Sequence, residues 1–104
     1  MIFNESGRSI NKIFKKNIDN REKDKIKTTW VNALEIDPTF ENWKIEFDYQ
    51  NKNFPEGWDP HVELTPFIYD ESKWNKEYWN KLKRDLNKNC SRERLEFMIK
   101  VAQV

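Results

Sequence analysis

Between Asn42 and Asn51 the chain reads NWKIEFDYQN. Trp43, Ile45, Phe47 and Tyr49 alternate there with Lys44, Glu46, Asp48 and Gln50. Successive side chains of a strand point to opposite faces, so a period of two predicts a strand with one buried and one wet face. The stretch HVELTPFIY, His61 to Tyr69, reads as a second strand. Pro66 puts that strand at a sheet edge, because proline cannot donate a ladder hydrogen bond. The expectation is an antiparallel pair, with strands near 41–50 and 61–69, joined by a loop of about ten residues, which is long for a hairpin.

Around these segments the period changes. Ile10, Ile13, Phe14 and Ile18 fall at helical spacing after Ser9, a plausible N-cap, and Ile26, Trp30, Val31 and Leu34 repeat the pattern. Helices are expected near 9–18 and 22–35. Asp37-Pro38 ends the second, since the residue before proline avoids the helical region. A third helix, capped by Asp70 or Ser72, aligns Trp74, Tyr78, Leu82 and Leu86 on one face and breaks between Asn87 and Cys90. Ser91 then caps RERLEFMIKVAQV, with Leu95, Met98, Ile99 and Ala102 on one stripe. The fold class expected is α+β, one domain over residues 1–104, with a small antiparallel sheet packed by N-terminal and C-terminal helices.

Five tryptophans (Trp30, Trp43, Trp58, Trp74, Trp79) make the chain too aromatic to stay disordered, although 36% of its residues are charged. Cys90 is the only cysteine, so no internal disulfide forms and a reducing cytoplasm is the expected compartment. The opening MIFNESGRSINKIF lacks the apolar stretch of a signal peptide. No run reaches the roughly 18 apolar residues of a membrane span, so no membrane partner is expected.

Net charge is +1, but its distribution is uneven. Residues 1–27 carry eight Lys/Arg and four Asp/Glu, and residues 28–71 carry two against ten. Residues 72–94 carry eight against three, so the chain runs basic, acidic, basic.

The stretch NFPEGWDPHVELTPF, Asn53 to Phe67, holds the single histidine. Asp59, His61 and Glu63 alternate, and on a strand they could offer two oxygens and a nitrogen to one metal, or act as an acid/base pair. Facial triads draw their ligands from separated elements, Pro60 disturbs the alternation, and no further histidine or cysteine cluster completes a zinc site. With only Gly7 and Gly57, no phosphate loop can form. The expectation is therefore no catalytic residue, no metal, no cofactor and no enzymatic activity.

The acidic block invites a different use. If the two strands pair, Glu46 and Asp48 lie near Glu56, Asp59, Glu63, Asp70 and Glu71. Crowded like charges cost stability unless a partner, or the chain's own basic helices, neutralises them. Trp58, in the Gly/Pro loop, either plugs the local core or stands as an interface anchor. The candidate partner-binding set is Glu46, Asp48, Glu56, Trp58, Asp59, His61, Glu63, Asp70 and Glu71. A competing set is basic: Lys73, Lys76, Lys81, Lys83, Arg84 and Lys88, with Trp74 and Trp79 beside them, are the ingredients of nucleic-acid binding.

The chain's length, its Lys/Asn- and Trp-rich composition, its acidic middle and its ending NKNCSRERLEFMIKVAQV resemble the small immunity proteins of bacterial toxin–immunity systems, including contact-dependent growth inhibition. The resemblance is one of type and transfers no site residues. It implies a cognate toxin domain, often a nuclease, bound tightly and blocked at or near its active site. An acidic surface suits that partner, because it competes for a phosphate-binding cleft and steers association. The alternative is a small nucleic-acid-binding or regulatory protein that uses the basic segments.

Overall fold

The first two helices lie close to where the apolar spacing predicts them. The computed structural model describes residues 9–103, with α1 over Lys12–Asp19 and α2 over Lys23–Ile36. Gly7 and most of the opening stretch lie outside the described residues. Asn11, not Ser9, caps α1, its Oδ1 accepting from the Phe14 N–H at 2.9 Å. α2 stops at Asp37, ahead of Pro38. Phe40 then holds φ at 65°, a region bulky residues avoid. Its buried ring lies 5.2 Å from that of Trp30, and that burial offsets the backbone strain.

The segment expected as the first strand is a helix, α3, over Lys44–Asn53. Glu46, Phe47 and Gln50 of the helix, with the cap residues Trp43 and Phe54 at its two ends, face inward and follow the i, i+3, i+4, i+7 stripe of a helix. Two of them are polar, which hides the stripe from a hydropathy reading. Glu46 and Gln50 are each 0% exposed. Glu46 Oε2 accepts the Asn11 N–H at 2.8 Å, and Gln50 Oε1 accepts the Trp30 Nε1–H at 2.7 Å. The expectation that Glu46 faces solvent is overturned. Asp48 is exposed, and Ile45 and Tyr49 are half-buried.

The second expected strand, 61–69, has no regular secondary structure, bends at Thr65 and joins no ladder. No strand or sheet occurs among the described residues, so the α+β expectation gives way to an all-helical fold. The physical reason is that backbone N–H and C=O groups need partners, and the intended neighbour has become α3. The segment from Asp59 to Trp74 instead runs as a strap over the later helices, its backbone groups met largely by side chains. Val62 N–H donates to Asn89 Oδ1, Thr65 N–H to Asp85 Oδ2 and Ile68 N–H to the Tyr78 hydroxyl. The carbonyls of Pro60, Val62, Pro66 and Ile68 accept from Asn89 Nδ2, Arg94 Nη2, the Tyr78 hydroxyl and Trp74 Nε1.

α4 spans Lys76–Lys88 and α5 spans Arg92–Ala102. Asn75 caps α4, and Asp70 instead caps a short 3₁₀ turn over Glu71–Lys73. Ser91 caps α5, its Oγ accepting from the Arg94 N–H at 3.1 Å. Tyr78, Leu82 and Leu86 of α4 and Leu95 and Met98 of α5 are buried, while Trp74 precedes the helix. α1 packs on α2 and α3, and α4 packs on α2 and α5.

Trp30 is the hub of the core. The rings of Phe14, Phe40, Trp43, Phe47 and Trp58 surround it at 5.1 to 6.1 Å, with Trp58 stacked at 5.6 Å. Such offset and edge contacts add stability beyond area burial. The turn that delivers Trp58 needs Gly57, because a Cβ there would come within 2.6 Å of the Phe54 ring.

Candidate binding cleft between the strap and α5

The strap is tied to the α4–α5 junction before it reaches the cleft. Asp59 Oδ2 accepts the Cys90 N–H at 2.9 Å, and the Asp59 N–H donates to the Cys90 carbonyl at 3.0 Å. His61 Nδ1 lies 2.7 Å from Ser91 Oγ. Arg94 is fully buried beneath the strap. Its guanidinium donates to the Asn89 carbonyl, to Asn89 Oδ1 and to the Val62 carbonyl, and sits 6.0 Å from the Phe67 ring centroid. It is held by carbonyl dipoles, and no carboxylate pairs with it among the described residues. Burial pushes the Cys90 thiol up to about 12, with the Asp59 carboxylate adding to the effect, so this thiol is a packing group and not a nucleophile.

Beyond this anchorage the strap and α5 enclose an open cleft of about 400 Å³. His61, Glu63, Phe67 and Tyr69 line it from the strap, and Glu93, Glu96, Phe97 and Lys100 line it from α5. Phe67 stacks on Phe97 at 4.4 Å with the planes 9° apart. Tyr69 meets Phe97 edge-on at 5.4 Å, yet stays 69% exposed. Glu63 reaches within 3.8 Å of His61 Nε2, with 85% of its own side chain exposed. Glu96 pairs with Arg92 at 3.2 Å on the surface. Glu93 makes no ion pair among the described residues. Three carboxylates, of Glu63, Glu93 and Glu96, outnumber the basic side chains of Lys100 and His61, so the lining is net negative.

Of the residues singled out from the sequence, the cleft gathers only His61 and Glu63. Glu46 is inside the core. Asp48 lies on α3 in a separate recess, of about 240 Å³, beside Phe40, Phe47 and Ile99. Glu56 is exposed in the turn before Trp58, and Glu71 in the 3₁₀ turn. Asp70 is exposed and turned to the Ser72 N–H and hydroxyl, which hold its carboxyl below the ordinary range. Asp59 is spent on Cys90, 3.8 Å from Lys23. Trp58 is 7% exposed, and its Nε1–H donates to Asn51 Oδ1 at 2.7 Å. It plugs the core, which leaves little of it for a partner to grasp.

The acidic block is thus scattered and partly neutralised from within, with Glu35 bridged to Lys83 at 3.2 Å. Asp59, His61 and Glu63 do not converge, and no group of three or more His, Cys, Asp and Glu among the described residues is placed to hold a metal. Glu93, Glu96, Phe97 and Lys100 were missed, although Glu93, Glu96 and Lys100 mark one face of α5 by their spacing.

On the basic side, Lys76, Lys81, Arg84 and Lys88 of α4 are exposed and make no ion pair among the described residues. Trp74 and Trp79 are half-buried against the core. No helix among the described residues is long and apolar enough to cross a membrane. Compared with known proteins, the chain matches no family model, no curated protein and no solved structure.

Proposed function

We propose that this chain is a binding protein of the immunity type, which neutralises a toxin domain by docking on it and carries out no chemistry itself. The observation that supports this reading is the cleft. It is an open recess with a net-negative rim, an aromatic floor and an exposed tyrosine at its mouth. Aromatic rings ringed by charge are the make-up of protein-binding hot spots, and the sign of the rim suits a basic partner such as a nuclease cleft. The docking face is therefore α5 with the distal strap, and not the whole acidic middle of the chain.

The test is a binding titration against a toxin domain encoded beside the chain, repeated over a range of salt and joined to a growth-protection assay. Tight, salt-sensitive binding that Glu63→Lys combined with Glu93→Lys slows in association is the expected result. The basic face of α4 favours the second reading. If the chain ignores the toxin but retains single-stranded nucleic acid, and Lys81→Glu with Arg84→Glu abolishes that, the protein is a nucleic-acid binder.

A further inference from the structure

We infer that the cleft is a socket for a single arginine side chain presented by the partner. The inference rests on the docking face proposed above and names what enters it. Three features select the occupant. The Phe67 and Phe97 rings, stacked 4.4 Å apart, form an apolar wall, and Tyr69 stands against Phe97 with the planes at 76°. Phe97 is itself buried as backing, so the half-buried Phe67 and the exposed Tyr69 carry the aromatic surface that can cover a flat group. The carboxylates of Glu63 and Glu93 line the same recess, and neither has a Lys or Arg counterion among the described residues.

A guanidinium answers all three features. It is planar and weakly hydrated, it stacks on aromatic faces, and its edge presents donors to more than one carboxylate at once. A lysine ammonium is a compact, strongly hydrated point charge and uses only the electrostatics. A neutral chain uses only the wall. An anion meets the net-negative lining and is repelled. Lys100 sits in the lining and works against any cation, and the Arg92–Glu96 pair occupies part of Glu96. That exposed pair is weak enough to exchange. The floor is a preformed feature, since Phe97 is buried and Phe67 half-buried, whereas Tyr69 leaves 69% of its surface open to a guest.

The experiment is an NMR titration of the full chain with three capped tripeptides, Gly-Arg-Gly, Gly-Lys-Gly and Gly-norleucine-Gly, reading the amide and ring resonances of His61, Tyr69, Glu93 and Phe97. Saturable shifts confined to those residues, strongest for arginine, weaker for lysine and weakest for norleucine, are expected. Tyr69→Leu, at a side chain that is 69% exposed, should weaken the arginine peptide by about two- to fivefold. Glu63→Gln with Glu93→Gln should remove most of the salt dependence.

Equal affinity for norleucine and arginine, or shifts spread over the surface without saturation, would overturn the socket. The two readings fail separately. A toxin bound tightly by a chain that ignores the arginine peptide keeps the docking proposal and ends the socket. A peptide that fills the cleft while Tyr69→Leu and Glu93→Gln leave toxin binding unchanged keeps the socket and ends the docking proposal.

Discussion

α3 and the strap carry the same period-two signature, and neither is a strand. α3 coils because its backbone can satisfy itself, and because the stripe from Trp43 to Phe54 closes onto Trp30 only when wound. The strap stays out of a helix because Pro60 and Pro66 resist one, and it survives without a ladder because α4 and α5 lend it side-chain partners. Alternation therefore reports which side chains differ, and the source of hydrogen bonds decides the conformation. The two regions also divide the work: α3 closes the core, and the strap leaves one wall of a cleft open.

Trp58 joins the two regions, so its loss should have the largest effect. It stacks on Trp30, lies 5.6 Å from Phe47 and precedes the first tie of the strap. Trp58→Ala is expected to cost roughly 3–5 kcal/mol in urea denaturation, close to the whole stability of a small domain. A variant of normal stability that instead lost its partner quickly would make Trp58 an interface anchor and undo the division.

Within α3, Glu46→Ala and Gln50→Leu should each cost about 1–3 kcal/mol, because each strands a donor, the Asn11 N–H or the Trp30 indole N–H. Asp48→Ala should cost under about 0.5 kcal/mol. Equal losses at Glu46 and Asp48 would contradict the helical stripe.

Within the strap, the losses should be smaller and local. Asp85→Ala and Asn89→Ala each remove hydrogen bonds to strap backbone, and about 1–2 kcal/mol is expected from either. Hydrogen exchange should quicken at Thr65 in the first variant and at Val62 in the second, with α3 unchanged. Cys90 gives an independent reading of the same opening. With its thiol pushed up to about 12, the native chain should react with thiol reagents near pH 8 far more slowly than the unfolded chain. Fast labelling of the native chain would mean that the junction beneath the strap is already open.

The same contrast explains what the sequence could and could not reveal. Helices were legible wherever the buried stripe was apolar, as in Ile26, Trp30 and Leu34 or in Leu95 and Met98, and wherever a cap or proline marked an end, as at Ser91 and Pro38. α3 was not, since Glu46 and Gln50 look like solvent-facing residues until their partners, distant in sequence, are known. The strap was legible as a non-helical segment but was misread as a paired strand, because the side chains of Asp85, Asn89 and Arg94 that replace a sheet neighbour sit far along the chain. Of the cleft, His61 and Glu63 were visible. The α5 wall was not, because Glu93 and Glu96 read as an ordinary wet helix face until the strap is laid beside them.

The smallest effect should come from a surface tie that α3 makes and the strap does not use. Tyr49 of α3 donates its hydroxyl to Asp19 Oδ1 at 2.7 Å, and Lys15 of α1 bonds Asp19 Oδ2 at 3.1 Å. These bonds, the tyrosine's first, hold the Asp19 carboxyl below its ordinary value of 3.8. The sign follows from linkage: a carboxyl more acidic in the folded chain than in the unfolded one stabilises the fold when ionised. That contribution is complete above the ordinary carboxylate range and fades as pH falls through the lowered value. Asp19→Asn should therefore be slightly less stable than the parent at pH 7, and the gap should close once pH has fallen below the lowered value, where both side chains are neutral. Added salt should narrow the gap at pH 7, since the group is exposed and screened. A gap that stayed constant across the pH range would show that the tie between α1 and α3 works through packing alone, and would leave α3 held to the fold by its buried stripe.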